Sequence, residues 1–257
     1  MTKNKLFLKY YIIMIYFIIL LVFILISKIY FKYQKKERFS NNKNLIFIHI
    51  GKTGGGTIQK ILKKKNINHI IYHLENYYTY DKNNKYLISI RNPISRFISG
   101  WNWRKYTVCP RKVGGCPNKK EKIIYKKYSL NDFLENLFEK KIIDKNTRMR
   151  HIIPTNISYY LKTNNFLDDY DSNVKNINII TCENLYEDLE NSLGKKINKL
   201  KLDVHISKKE DKYEDLSSLG KINLLKFLKD DYDCIEKLND LNLLTKEQYD
   251  VLSKKIF

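Results

Sequence analysis

Short apolar runs alternate with helical patterns along most of this chain. Residues 45–50 are apolar except for one histidine, which predicts a buried strand. In the following segment, 57–65, the side chains of Ile58, Ile61 and Leu62 fall on one face of a helix. The folded part of the chain is therefore expected to begin with a strand, a short connection and a helix.

Further strands and helices are expected along the rest of the chain. Strands are predicted at residues 68–73, 86–91 and 176–182. Helical patterns occur at 92–101, 130–138, 185–193 and, as a long amphipathic tail, 216–243. Strands that alternate with helices favour an α/β fold, with a P-loop-like parallel β-sheet flanked by helices.

The helix after the third strand has strong local signals. Asn92 is a favourable N-cap and Pro93 suits the first helical position. Ser95 and Ser99 share one flank of this helix, and Arg96 lies nearly opposite its apolar stripe. The stripe consists of Ile94, Phe97, Ile98 and Trp101.

A capping signal marks the next helix. Ser129 and Asp132 have the spacing of a capping box. The apolar residues expected to face inward from this helix are Leu130, Phe133, Leu134, Leu137 and Phe138.

The N-terminal region has a different character. After a short tail, 1–9, residues 10–27 form an uncharged apolar stretch long enough to cross a bilayer as a signal-anchor helix. No small-residue cleavage site follows it, which argues against a cleaved signal peptide. Residues 28–44 are polar and basic and are interpreted as a stem, which leaves 45–257 as the folded domain.

The charges that flank the apolar stretch bear on its orientation. Three lysines precede it, and five basic residues follow it at 28–38. By the positive-inside rule this distribution would place the C-terminal domain in the cytoplasm. That orientation conflicts with the lumenal location that a family resemblance, described below, implies.

Composition restricts the kinds of ligand. The formal net charge is +21, so the protein should attract polyanions. Lys, Asn, Ile and Tyr are all abundant, however, and an AT-rich gene would raise the lysine count by itself. No nucleic-acid-binding motif is present, so no nucleic acid is expected as a partner. No Cys-x-x-Cys pair occurs either, and no metal site is expected.

A glycine-rich loop joins the first strand to the first helix. Its residues are Gly51, Lys52, Thr53, Gly54, Gly55, Gly56 and Thr57. Backbone N–H groups of such a loop, together with a helix N-terminus and a lysine, can hold a phosphate. The loop is not a Walker A motif, because its glycines follow the lysine and the first glycine of that motif would fall at Ile46.

The order of these residues resembles another family. Residues 47–57 are similar to the 5′-phosphosulfate loop of the Golgi-type carbohydrate sulfotransferases. Residues 90–101 resemble the 3′-phosphate motif of the same family, and the likeness is closest to the heparan sulfate 6-O-sulfotransferase group. The family has a threonine where this chain has Gly56, and a hydroxyl returns only at Thr57.

The resemblance implies a donor and an anion-binding set. The family uses 3′-phosphoadenosine 5′-phosphosulfate (PAPS), which has phosphate at two positions of its ribose. The loop 51–57 would bind the 5′-phosphosulfate, while Arg91 and Ser99 would bind the 3′-phosphate. Lys52 would act as a catalytic residue whose positive charge stabilises the oxygen that bridges phosphorus and sulfur in PAPS.

The general base is expected to be His73, at the end of the second strand and between the two motifs. Glu75 and His69 are the alternatives. His49 lies within the first motif, but strand alternation points its side chain away from its immediate neighbours, and a structural hydrogen bond is expected for it.

The acceptor implied by the resemblance is a hydroxyl group of a glycan, in the Golgi lumen. Basic residues after the predicted helix at 92–101 would suit an acidic glycan, although a solvated basic loop explains them equally. They are Arg104, Lys105, Arg111, Lys112, Lys119 and Lys120. Two other functions stay open: a divergent P-loop kinase, for which no Asp ends a strand, and a membrane-tethered nucleotide- or polyanion-binding protein without turnover.

Overall fold

Four parallel strands form one sheet in the unit Leu45–Phe257. They are β1 (Leu45–His49), β2 (His69–Tyr72), β3 (Lys85–Ile90) and β4 (Ile177–Thr181), in the spatial order β2-β1-β3-β4. The computed structural model describes residues 22–23, 45–73, 79–111, 119–139, 157–162, 166–170, 175–198 and 210–255.

The register brings the ends of the strands together. Phe47 pairs with Ile71 of β2 on one side and with Leu87 of β3 on the other, and Ile88 pairs with Ile179 of β4. Because all four strands are parallel, their carboxyl ends meet at one edge of the sheet.

Helices cover both faces of the sheet. The first are α1 (Gly55–Lys64) and α2 (Pro93–Trp103), the latter continuing as a π-helical turn (Arg104–Val108). The others are α3 (Cys109–Arg111), α4 (Lys119–Lys127), α5 (Leu130–Glu135), α6 (Ile157–Lys162), α7 (Leu185–Leu193), α8 (Ser218–Phe227), α9 (Lys229–Asp240) and α10 (Lys246–Ser253). The central strand β1 has helices on both faces, and its three middle residues, Ile46, Phe47 and Ile48, are apolar and buried.

Alternation along β1 divides the core into two layers. Phe47 points toward the side of α1 and α7, where it joins Ile58, Leu62 and Leu189. The larger layer, on the other face, includes Ile48 together with residues of α2 and of the later helices. Both layers are built from the apolar positions of the strand and helix patterns.

The α/β fold class, the parallel sheet and its flanking helices are confirmed, and all four predicted strands are present. The capping box predicted at Ser129 and Asp132 is also present. The tail 216–243 is different, because the chain turns at Leu228 and forms α8 and α9 as separate helices. The inward position of Phe138 was also wrong: α5 ends at Glu135, and the Phe138 side chain is 43% exposed.

The predicted membrane span, 10–27, lies outside the described residues except for Val22 and Phe23, which are helical. The stem, 28–44, lies outside them as well. Within the described part of the chain, none of the helices has the length and apolar character needed to cross a bilayer.

The C-terminal helix is fixed to the sheet and to α2 by buried amide groups. The Asn92 side-chain oxygen accepts hydrogen bonds from the N–H groups of Ile94 and Ser95, as an N-cap does. Its Nδ2 group donates to carbonyl oxygens at the end of α10, at 2.8 Å for Lys254. Gln248, also on α10, donates from its Nε2 group to the carbonyl oxygen of Ile179 on the strand β4. The last helix therefore covers the edge strand β4 and holds the start of α2.

We expect Asn92→Ala to lower the free energy of unfolding by about 2–4 kcal/mol, because it removes a cap and leaves buried carbonyls without a donor. Chemical denaturation of the full chain in detergent, followed by tryptophan fluorescence, measures this. The matched control is Asn184→Ala at the start of α7, where the side chain makes no capping hydrogen bond. The control should change stability by less than about 0.5 kcal/mol. Equal effects of the two substitutions would contradict the assigned role of Asn92.

Candidate functional site

The four strand ends place chemically distinct residues along one edge. His73 follows β2, the glycine-rich loop follows β1, Arg91 follows β3, and Cys182 and Glu183 follow β4. In the strand order of this sheet, the loop lies between His73 and Arg91. The residues that the two sequence motifs supply are therefore neighbours at the edge where parallel sheets usually bind ligands.

The glycine-rich loop has a backbone that only some residues adopt easily. Lys52 has φ of 69° and Gly54 has φ of 79°. A Cβ atom on Gly54 would also lie 2.6 Å from the Cδ1 atom of Leu185. Gly54 precedes α1, and its carbonyl accepts from the Thr57 N–H at 2.9 Å. The positive φ and this close approach both favour glycine at position 54.

The first turn of α1 presents donors at the carboxyl edge of the sheet. The helix begins at Gly55, and no acidic residue lies in its first turn. The N–H groups of Gly55 and Gly56 have no acceptor within the helix, because the first turn of any helix lacks one. These donors and the positive end of the helix dipole suit a bound anion.

Thr53 contributes to the loop in a way that the sequence did not predict. Its side chain is fully buried, and its Oγ1 donates to the carbonyl oxygen of Ile50 at 2.6 Å. The same oxygen lies 2.7 Å from the Ser89 hydroxyl of β3. Thr53 therefore anchors the loop to the sheet through its hydroxyl. The contact predicted between Thr53 and PAPS would then be made by the Thr53 backbone.

Arg96 supports the loop from below. Its Nε donates to the carbonyl oxygen of Gly51 at 3.0 Å, and its Nη1 lies 3.7 Å from Asp231 of α9. Only 4% of Arg96 is exposed, although it lies nearly opposite the apolar stripe of α2. Burial lowers the pKa of Arg96 and raises that of Asp231, and the attraction between the two charges opposes both shifts. Later helices enclose the flank of α2 that carries Arg96.

A cleft of about 280 Å³ opens beside the loop. Three of the predicted anion-binding residues, Lys52, Arg91 and Ser99, line it. Ser95 lines it too, in agreement with the shared flank predicted for the two serines. Its opposite wall is the segment 210–214, which we call the strap. The cleft thus joins Lys52 of the first motif with Arg91 and Ser99 of the second, whereas Gly51 and residues 53–57 are not among the residues that line it.

Three basic residues line this cleft: Lys52, Arg91 and, from the strap, Lys212. Partial burial, and then the positive charge of Arg91, lower the pKa of Lys52 to about 8. Its Nζ lies 4.9 Å from the centre of the Trp103 ring. In the part of the chain that the structure describes, no carboxylate lies within 4.0 Å of Lys52. An anion bound beside Lys52 would give its ammonium group a negative partner, although three carboxylates of the strap, Glu210, Asp211 and Glu214, also line the cleft.

The strap was not predicted as part of the site. Asp211 accepts hydrogen bonds from Trp101 Nε1 at 2.8 Å and from the Tyr106 hydroxyl at 3.2 Å, and it lies 3.5 Å from Lys105. The Asn102 side chain forms two further hydrogen bonds with the Asp211 backbone. More than 100 residues separate these partners in sequence, so no local pattern could have joined them.

Glu183 is a second residue that the sequence reasoning missed. It directly follows β4, and its carboxylate lies 3.9 Å from Arg91 Nε. The same carboxylate accepts from the Asn92 backbone N–H at 3.2 Å. Its position directly after the predicted strand 176–182 is the sequence signal for this acidic residue. Glu183 orients the Arg91 side chain at the edge of the sheet.

The predicted base lies on the other side of the loop and is not among the residues that line the cleft. His73 Nδ1 is 2.9 Å from the carbonyl oxygen of His49. A carbonyl oxygen only accepts, so in the neutral ring the proton is on Nδ1 and the lone pair is on Nε2. His69 begins β2 at the opposite end of the sheet, and Glu75 lies outside the described residues. His73 is thus the histidine that the fold brings to the carboxyl edge beside β1.

The predicted basic surface is reduced by the structure. Arg104 is only 4% exposed, so it cannot receive an acidic glycan, and Lys105 lies at Asp211. Lys112 and the side chains of Arg111, Lys119 and Lys120 lie outside the described residues. Arg104 is therefore not part of an exposed basic surface, and its guanidinium lies 5.5 Å from the centre of the Trp103 ring.

Across the described ranges, no three His, Cys, Asp or Glu side chains are grouped so as to hold a metal ion. Neither a family model, nor a curated protein, nor a solved structure matches this chain. A function must therefore be inferred from the residues and geometry of the cleft.

The sulfotransferase motif has a threonine where this chain has Gly56, and substitutions at this position test the importance of the difference. A Cβ atom at this exposed position would meet no atom within 4 Å. We expect Gly56→Thr to stabilise the protein by a few tenths of a kcal/mol, since glycine disfavours helices. It should also bind 3′-phosphoadenosine 5′-phosphate (PAP) about three- to tenfold more tightly, through one added hydrogen bond.

The control is Gly56→Ala, which adds helix propensity without a hydroxyl. Calorimetric Kd values for PAP, measured on wild type and both variants, separate the two effects. If the Thr and Ala variants bind PAP equally, a hydroxyl at position 56 does not contact the ligand.

Proposed function

We propose that this protein is a sulfotransferase that moves a sulfuryl group from PAPS to a hydroxyl group of a glycan. The observation that carries the proposal is the cleft shared by Lys52, Arg91 and Ser99. These residues come from two motifs about forty residues apart, each of which resembles one phosphate site of the carbohydrate sulfotransferases. A ligand with two separated phosphates is the ligand that such a pair of sites would serve.

The two anion sites have different physical sources. The loop 51–57 offers backbone donors at the N-terminus of α1 together with Lys52, which suits the 5′-phosphosulfate. Arg91 and Ser99 offer a guanidinium and a hydroxyl from β3 and α2, which suit the 3′-phosphate. Glu183 holds the Arg91 guanidinium without displacing it from the cleft.

PAPS, when bound, supplies the sulfuryl group, and PAP is the product that leaves. Lys52 would donate a hydrogen bond to the oxygen that bridges phosphorus and sulfur, where negative charge develops as the bond breaks. His73 would accept the proton of the acceptor hydroxyl at Nε2, because Nδ1 is held by the His49 carbonyl. The reaction would need both groups in fixed positions, and the location of Lys52 on an anchored loop and of His73 directly after β2 supports these roles.

The proposal includes a location. Residues 10–27 would anchor the protein in the membrane, residues 28–44 would form the stem, and the domain would lie in the Golgi lumen. The positive charges after residue 27 oppose this orientation. An acidic glycan agrees with the net charge of +21, but the acidic strap means that it would approach from the His73 side of the loop.

Ligand binding distinguishes the proposal from a kinase. We expect PAP to raise the melting temperature of the full chain in detergent, and ATP with Mg²⁺ to raise it much less at the same concentration. At 100 times the Kd, a ligand stabilises the folded state by about 2.7 kcal/mol. Stabilisation by ATP with Mg²⁺, and none by PAP, would overturn the sulfotransferase assignment.

Transfer of radiolabelled sulfate from PAPS to a panel of glycans distinguishes an enzyme from a binding protein. We expect Lys52→Ala and His73→Ala each to lower kcat by about 100-fold or more. The matched control is Lys60→Ala on the exposed face of α1. PAP binding without transfer to any acceptor would favour a binding protein without turnover, and an unchanged kcat in His73→Ala would remove His73 as the base.

The pH dependence of PAP binding should follow Lys52, whose pKa is about 8 without ligand. A bound anion raises that pKa, because it favours the charged ammonium. Below the unliganded pKa, Lys52 is charged in both states and affinity is greatest. Above it, binding must take up a proton, so Kd should rise with pH, by up to about tenfold per unit.

Calorimetry between about pH 7 and pH 9.5 measures this dependence. Lys52→Arg keeps its charge over the whole range and should give a nearly constant Kd. A wild-type Kd that is equally constant would show that Lys52 does not contact the anion.

A further inference from the structure

His49 connects the glycine-rich loop to the predicted base. Its ring stacks on the His73 ring, with 4.2 Å between centroids and 21° between planes. It also stacks on Phe47, with 5.6 Å between centroids and 6° between planes. Phe47 is fully buried, so the His49 ring is in contact with the core of the sheet.

The same imidazole also lies against the start of α1. A Cβ atom built on Gly55 would lie 1.9 Å from His49 Cδ2 and 2.2 Å from Nε2. No side chain larger than hydrogen fits at Gly55 while the ring keeps this position. The Gly55 backbone belongs to the turn that presents N–H donors to the anion, so His49 sets how closely that turn approaches β1.

His49 fixes the base in a second way, through its backbone. Its carbonyl oxygen is the partner of His73 Nδ1 at 2.9 Å. One residue therefore supplies both the ring on which His73 stacks and the acceptor that sets its tautomer. Burial, and then the nearby His73, lower the pKa of His49 to about 4, so the ring is neutral at physiological pH and does not compete for the anion.

We propose that His49 is a positioning residue that holds the anion-binding turn and the base His73 in one fixed arrangement. This inference rests on the proposed function for its kinetic consequence and on the geometry alone for its structural one. A neutral aromatic ring in this place is sufficient for the role. The sequence reasoning had expected only a structural hydrogen bond from this residue.

The kinetic test compares His49→Phe, which keeps a flat ring, with His49→Ala, which removes it. We expect His49→Ala to lower kcat for sulfate transfer about 10- to 100-fold, because His73 loses its stacking partner, and to raise the Kd of PAP about three- to tenfold, because the turn at Gly55 loses the ring it packs against. His49→Phe should recover most of the lost kcat. A matched control, His69→Phe at the opposite end of β2, should leave kcat unchanged.

A stability cycle tests the same geometry without any activity. Gly55→Ala should lower the melting temperature in the wild type, because the new methyl group meets the His49 ring. In the His49→Ala background these contacts with the ring are gone, and Gly55→Ala should be neutral or raise the melting temperature, since alanine favours helices.

The two tests separate the possible failures. If the wild type transfers no sulfate but the stability cycle is strongly non-additive, the proposed function fails and the geometric role of His49 stands. Equal losses from Gly55→Ala in both backgrounds would overturn the assigned contact. Unchanged kcat in His49→Ala, or equal losses in His49→Ala and His49→Phe, would overturn the positioning role.

Discussion

The candidate site depends most on the interactions of the buried Arg96 guanidinium. It donates to the carbonyl of Gly51, at the start of the glycine-rich loop, and faces Asp231 from a helix near the C-terminus. Two charges removed from water are costly unless each is paired, so loss of either partner would leave an uncompensated buried charge. Arg96 thus holds the loop that follows β1, and Asp231, 180 positions after Gly51, in turn pairs with Arg96.

Lys52 in this loop has a backbone conformation and a partly buried charge that are unfavourable for stability but suit the binding of an anion. Lys52 adopts a positive φ, which costs a non-glycine residue about 1–2 kcal/mol. Its ammonium lies near a second cation, and burial disfavours its charge. Strain and unbalanced charge at one residue are typical of functional sites, because a ligand can relieve them. The cleft is in this sense prepared for an anion.

Local signals predicted most of the scaffold. The strand runs, the capping box at Ser129 and the shared flank of Ser95 and Ser99 depend on residues that are near in sequence, and the structure has all of them. The surroundings of Arg96 and Arg104 were not predictable in this way, because helical spacing gives the direction of a side chain but not what later packs against it. The strap and Glu183 became part of the site only when β4 and the segment after it joined the sheet and α2.

The sequence by itself determined the parallel α/β class and the glycine-rich loop at the start of a helix. These features follow from periodicity and from glycine chemistry, which act over a few residues. Only the tertiary structure decided that Lys52, Arg91 and Ser99 share one cleft, and that the His49 ring joins the loop to His73. The order of strands in the sheet sets those distances, and that order depends on burial of the whole core.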